Sequence, residues 1–304
     1  MGVGGNLKEI SNNSFFTLLS QKKESTFTTK INTMPRNYFD LNINAPLFTE
    51  LSKLPEWWKT IINDNSLYVN VRKNNRVNVY YRGASVMELS MNRNKSIQGK
   101  IHSKYLQIDC NKYRTEKPET IVEKLHSIKA AIENHQTTSK PEGLCEKAIQ
   151  GLMYVEGKYI DTEFEYVHPN RLITRIDLTT INDDGMIEFV ELKRISDPRL
   201  LKKDLSLKNE EIRRQMDDYN TFISEHKENI IQYYKLLQQI LKNIGVNNPL
   251  CDIAITGIKP SVSLYFAGYS DGKSNHPQRR KRIDDIKKVL RDIDKNINSN
   301  INEI

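Results

Sequence analysis

Cysteine is scarce in this chain. There are three, Cys110, Cys145 and Cys251, far apart and with no Cys-x-x-Cys pair. That spacing excludes a zinc ribbon and a thioredoxin-type redox site, and the odd count argues against a secreted disulfide framework. Long apolar runs are also missing: no stretch of the 304 residues reaches the length of a membrane span. The opening Met-Gly-Val-Gly-Gly-Asn-Leu-Lys-Glu has no apolar signal segment, and Asn6 stands where a myristoylation motif places Ser or Thr. The expectation is a soluble, cytoplasmic protein with no membrane partner, and the abundance of Asn, Lys and Ile points to a bacterial source. No zinc-finger or recognition-helix pattern is visible, so sequence-specific base reading has no support.

What is present is positive charge on an otherwise ordinary composition. The formal net charge is +8, hydrophobic residues make up 38% and charged residues 28%. Such a chain folds, and its charge favours polyanionic partners, nucleic acid above all. The length suits two units. Residues 1–35, rich in Asn, Ser, Thr and Lys, read as a flexible arm. Residues 36–138 read as a basic, antiparallel β-rich unit with helices. Residues 46–63 are expected to be helical, with Pro55 fitting the first position of a helix and Trp57 and Trp58 packing a core rather than stacking on bases. A meander follows over 66–109, turned at Lys73-Asn74-Asn75. Its Arg72, Lys73 and Arg76, interleaved with tyrosines, are candidate phosphate contacts; a solvated outer sheet face is the plainer alternative. Pro118 is expected to open a helix to about His135, and residues 136–140 mark a boundary to the second unit, 139–304.

That second unit centres on residues 171–194, RLITRIDLTTINDDGMIEFVELKR. Two β-rich runs flank Asp183-Asp184-Gly185, which is turn chemistry. A three-residue loop with Gly185 in the left-handed conformation sets Asn182 opposite Met186 and Asp177 opposite Glu191. Side chains alternate along a strand, so Lys193 shares their face. A two-residue loop would slip the register and put Asp177 on the wrong side. Two adjacent carboxylates repel unless a cation lies between them, and oxygen ligands suit Mg²⁺ or Mn²⁺. A lysine alongside can orient water and stabilise charge on a phosphate. The alternative is a surface hairpin with a cross-strand salt bridge, but the apolar run around Glu191 and Lys193 looks buried, where charges are rare unless paired or metal-bound.

Asp177 followed by Glu191-Leu192-Lys193 resembles the PD-(D/E)XK nuclease superfamily, with Ile176 in place of the proline that often precedes the Asp. The resemblance covers roughly 141–270. It implies an α/β fold with a restriction-endonuclease-like α-β-β-β-α-β core and long helices, acting as a Mg²⁺- or Mn²⁺-dependent nuclease. Asp177 and Glu191 would hold the metal together with the Leu192 carbonyl, and Lys193 would activate the water. A Glu on the helix before the sheet is a ligand in many members. Here Glu146 takes that place, or else it faces solvent and favours the helix N-terminus. Gln215-x-x-x-Tyr219, on the helix after Lys193, resembles the motif of RecB-like members, in which the Gln orients the site. Arg194-Ile195 stands where those members commonly have Thr-Arg or Thr-Ser, and their iron–sulfur cysteines are absent.

Around this hairpin, residues 158–167 read as an edge strand whose Asp161, Glu163 and Glu165 face outward. A long helix is expected over 205–244, divided or kinked near 224–227, with two final strands at 251–257 and 261–267. The tail helix opens on Arg279, Arg280, Lys281 and Arg282, read as phosphate contacts or as a solvated helix end. The expected function is a nuclease in antiphage defence or DNA repair, with DNA the favoured partner. A restriction endonuclease with a sequence-reading N-terminal unit, and an inactive nucleic-acid-binding or scaffolding subunit, are the alternatives. A homodimer or a place in a larger complex stays open.

Overall fold

Pro46 begins helix α1 (Pro46–Leu51), and Pro55 caps helix α2 (Glu56–Ile62) in the computed structural model. Proline is tolerated at such positions because the first-turn N–H groups have no intrahelical partner. The stretch expected to be helical over 46–63 comprises these two helices, parted at Leu54, whose φ of 51° a right-handed helix does not accommodate, and Pro55 stands at the start of the second. The structure describes residues 40–108, 112–139, 145–168, 173–195, 197, 209–267, 277–293 and 299–302. The expected arm at 1–35 lies outside them.

The meander forms, but its fourth strand ends at His102, where a 3₁₀ turn follows, and its fifth lies beyond the expected limit at 109. Strands β1 (Leu67–Arg72), β2 (Arg76–Tyr81), β3 (Ala84–Met91), β4 (Ile97–His102) and β5 (Tyr113–Glu116) make an antiparallel sheet in sequence order. Asn74 and Asn75 turn β1 into β2 with φ of 61° and 55°, a conformation asparagine tolerates. The helix predicted from Pro118 is two, α3 (Pro118–Glu123) and α4 (Leu125–Ser139). Ile121, Leu125, Ile128 and Ile132 line their buried stripe.

Helix α5 (Glu146–Met153) leads into β6 (Asp161–Val167), β7 (Ile173–Ile181) and β8 (Met186–Arg194). Then come α6 (Asn209–Asn243), the two-residue β9 (Gly257–Ile258), β10 (Ser263–Ala267), α7 (Pro277–Ile293) and β11 (Ser299–Asn302). The second sheet runs β11-β10-β8-β7-β6, with β9 pairing the start of β8. The pairs β6–β7 and β7–β8 are antiparallel, β8–β10 and β10–β11 parallel. The protein is therefore a mixed α/β structure. Every residue of β8 from Ile187 to Lys193 is buried, as befits a central strand covered on both faces. Helix α6 runs 35 residues without the division expected near 224–227. The strand expected at 251–257 is a 3₁₀ turn, Pro249–Asp252, followed by β9.

The segments expected as two units, 36–138 and 139–304, share one hydrophobic core, and Pro35–Ile304 make one compact unit. Trp58 is fully buried and its indole N–H donates to the Ile244 carbonyl at 2.7 Å. Tyr68 stacks between Tyr80 and Tyr154, with ring centroids 5.0 and 4.6 Å away. The β2–β3 turn sits hard against α5: a Cβ on Gly83, whose φ is 76°, would lie 1.9 Å from the Lys147 carbonyl oxygen. Gly83→Ala meets both a backbone clash and a disfavoured φ. It is expected to lower the unfolding free energy by about 2–4 kcal/mol, read as a lower urea midpoint with unchanged slope.

Candidate active site

Ile181 pairs with Ile187 and Leu178 with Val190. The Asn182 N–H donates to the Met186 carbonyl at 3.0 Å and the Gly185 N–H to the Asn182 carbonyl at 2.9 Å, with Gly185 at φ 78°. This is the three-residue loop read from Asp183-Asp184-Gly185. Carried one step beyond Leu178–Val190, its register sets Asp177 opposite Glu191.

The side chains converge. Lys193 Nζ donates to Glu191 Oε1, and Gln215 Nε2 reaches the same oxygen at 2.8 Å. Asp177 Oδ2 accepts the Leu192 N–H at 2.8 Å. Glu191 and Lys193 are each 3% exposed and Asp177 is buried. Gln215 Nε2 also donates to the Tyr219 hydroxyl at 2.6 Å, and that hydroxyl donates to the Arg175 carbonyl. One helical turn of α6 thereby ties Glu191 on β8 to the backbone of β7 two residues before Asp177. The other Glu191 oxygen, Oε2, is buried with no hydrogen-bond partner. A buried carboxylate oxygen without a partner is costly.

The electrostatics agree with that strain. Burial, then the Glu191 charge, pushes the Asp177 carboxyl up to about 7, against the pull of Lys193 and the Leu192 N–H. Glu191 is raised by burial and by the charge of Glu146, and held back by Lys193 and Gln215. Two buried carboxylates against one ammonium leave the site short of positive charge, and a cation beside Oε2 would relieve both the orphaned oxygen and the raised acids. The donor set is hard oxygen, which fits Mg²⁺ or Mn²⁺. Among the described residues no group of three or more His, Cys, Asp or Glu side chains gathers as a metal cluster. Glu146, in the first turn of α5 and half-buried, acts on Glu191 by its charge without completing such a group.

Glu163 also borders this site, which the regular alternation of β6 concealed. Its neighbours pair as Thr162–Leu178 and Phe164–Ile176, so Glu163 lies across from Asp177. Its φ of 51° breaks the strand's alternation. Asp161 approaches the Tyr234 hydroxyl of α6, and Phe164, three residues on, packs against Phe222 and Tyr234 of the same helix. Glu163 instead pairs with Lys147 of α5 at 2.8 Å. Its charge still helps to raise the Asp177 carboxyl.

The basic candidates divide. Arg72 is a correction. Its guanidinium is turned inward, donating to Asp161 Oδ1 at 3.0 Å and to the Thr162 carbonyl at 2.7 Å, because the second sheet covers the face that reads as solvated. Asp161 is accordingly 1% exposed rather than outward-facing. Lys73 and Arg76 stay about half exposed, beside Glu165 and Glu88. Arg280 and Lys281 are exposed on α7. Arg282 donates to the carbonyls of Ile195 at 2.8 Å and Asp197 at 3.2 Å, which pins the start of α7 to the end of β8. The side chain of Arg279 lies outside the described residues.

Comparison with family models, with curated proteins and with solved structures finds no match. No helix among the described residues is long and apolar enough to cross a membrane.

Proposed function

We propose that this chain is a metal-dependent nuclease that hydrolyses phosphodiester bonds of nucleic acid, DNA foremost, in antiphage defence or DNA repair. The observation that carries the reading is the convergence of Asp177, Glu191 and Lys193 on one face of two adjacent strands, with Glu191 Oε2 buried and unpartnered. The chain order α5–β6–β7–β8–α6–β10, with two antiparallel pairs and then a parallel one, supports it as the arrangement expected of a restriction-endonuclease-like core.

Asp177, Glu191 and the Leu192 carbonyl would hold Mg²⁺ or Mn²⁺, with Glu146 as the nearest further carboxylate. The bound ion supplies Lewis-acid polarisation of a phosphoryl oxygen and neutralises its charge. Lys193 brings an ammonium to a buried site, where it orients the attacking water and stabilises charge developing on the phosphate. Gln215 fixes the Glu191 carboxylate through one amide hydrogen while the other is anchored on Tyr219. Arg280 and Lys281 stand on a helix anchored just beyond Lys193, within the reach of a substrate strand.

A second reading has its own support. The Lys193–Glu191 pair satisfies part of the charge internally, which suits a non-catalytic nucleic-acid-binding subunit built on the same core. Incubation with single- and double-stranded DNA and RNA, with Mg²⁺ or Mn²⁺ and with EDTA, separates the two. Cleavage that EDTA stops, and that Lys193→Ala reduces by ~10²-fold or more, is expected. Absence of metal-dependent cleavage on all four substrates leaves the binding subunit.

A further inference from the structure

A cleft of about 360 Å³ opens where the first sheet meets α5 and the second sheet, lined by five cationic side chains and three carboxylates. We infer that this cleft is a binding seat for the sugar–phosphate backbone of a nucleic-acid strand, holding the phosphates that flank the reacting one. That the flanked phosphate reacts rests on the nuclease reading; the binding does not.

The cleft's ion pairs are poor candidates for structural staples. Beneath them the seam is already held by Arg72 on Asp161, by the Asn70–Thr162 contact at 2.6 Å and by Gly83 packed on α5. The outer pairs are Lys73–Glu165 at 3.1 Å, Arg175–Glu165 at 2.9 Å, Arg76–Glu88 at 2.8 Å and Lys147–Glu163 at 2.8 Å. Their cationic partners are 44–61% exposed, so each pair is weak in water and screened by salt. Glu165 is shared between two cations, and with Arg72 already engaged by Asp161 the remaining four cations still outnumber the three carboxylates. Side chains held this loosely exchange partners at little cost. A phosphodiester offers charge-assisted hydrogen bonds and the release of condensed counterions, which a surface carboxylate does not match.

Position favours the same ligand. Arg175 precedes Asp177 by two residues on β7, about 7 Å along the strand, and Lys147 follows Glu146 in the first turn of α5. The cleft and the Asp177–Glu191 face therefore share two elements, and a strand crossing one is delivered to the other. Because Gly83 and Gly151 bring the first sheet into backbone contact with α5, the two walls are held in fixed relation.

The test uses the full chain in EDTA, so that no cleavage intervenes, with fluorescein-labelled single-stranded DNA and RNA of about 20 nucleotides. Anisotropy titrations are run across a range of salt. The parent is expected to bind. K73E/R76E is expected to weaken binding by about 10- to 100-fold near 0.1 M salt and to flatten the salt dependence by roughly one to two units of slope. K73Q/R76Q, which places no new negative charge beside Glu165 and Glu88, is expected to lose about 3- to 10-fold with an unchanged melting temperature. Failure of the parent to bind, or a parental affinity and slope in the Gln variant, overturns the cleft. Loss of binding in a protein that never cuts upholds the cleft and sinks the nuclease; EDTA-sensitive cutting with binding unmoved in both variants does the reverse.

Discussion

Asp177→Asn is expected to remove cleavage, by ~10³-fold or more, and at the same time to make the metal-free protein more stable. The two effects have one origin. Asp177 is buried opposite Glu191, and its charge is compensated by Lys193, already engaged by Glu191, by the Leu192 N–H and by the more exposed Arg175 two residues away. Its carboxyl lies above its ordinary value of 3.8, at about 7, so the stability brought by the retained proton is complete below about pH 4 and lost as pH rises through 7. Above that point the carboxylate is a net cost. An asparagine keeps the shape and the Leu192 hydrogen bond but cannot ionise. The variant should therefore gain roughly 1–3 kcal/mol over the parent at pH 8 and almost nothing at pH 4, read by urea denaturation at both values. Adding Mg²⁺ at pH 8 should raise the parent's midpoint and leave the variant's unchanged, because binding to the folded state alone stabilises it. A destabilised Asp177→Asn at pH 8, or a Mg²⁺ response equal to the parent's, would contradict a cation site here even before any cleavage is measured.

The hairpin at the centre of this site was legible because its determinants are local. Asp183-Asp184-Gly185 admits one economical loop, since only Gly185 takes a φ of 78° without penalty, and the loop length then sets every cross-strand pair, Asp177 and Glu191 included. Gln215 and Tyr219 were legible through the resemblance and their place on the helix after Lys193, not through their spacing, which only puts both on one side of that helix. What escaped was what distant chain segments decide. Tyr68, Asn70 and Arg72 alternate with Leu67, Val69 and Val71 in the pattern of a half-solvated strand, yet the strand is buried on both sides because the second sheet lies against its polar face. The left-handed Glu163 sits in a run whose alternation looks unbroken. Strand β11, Ser-Asn-Ile-Asn, has no apolar period of its own and is recruited by pairing with β10. The boundary drawn near residue 138 marked a change in composition, while the hydrophobic core runs across it.

Arg72 puts that distinction to the sharpest test, because its two roles predict opposite phenotypes. As an exposed phosphate contact, Arg72→Ala would weaken nucleic-acid binding and barely touch stability. As the partner of a carboxylate that is 1% exposed, it would leave Asp161 buried with the Thr162 N–H at 2.8 Å and a distant Tyr234 hydroxyl at 3.5 Å as its remaining support. Burial already raises the Asp161 carboxyl to about 6 despite the guanidinium beside it. Without Arg72 it rises further, so the loss should be greatest where the group must stay ionised. We expect Arg72→Ala to cost about 3–5 kcal/mol at pH 8 and distinctly less at pH 5, where Asp161 takes up a proton in the fold. The double variant Arg72→Ala/Asp161→Asn should recover a good part of the loss at pH 8, since no charge is then stranded, and should show little pH dependence between the two values. Paired urea titrations of the four proteins give the coupling directly. A single variant as stable as the parent at pH 8 would mean that Asp161 is not buried as an ion pair, and would return Arg72 to the surface.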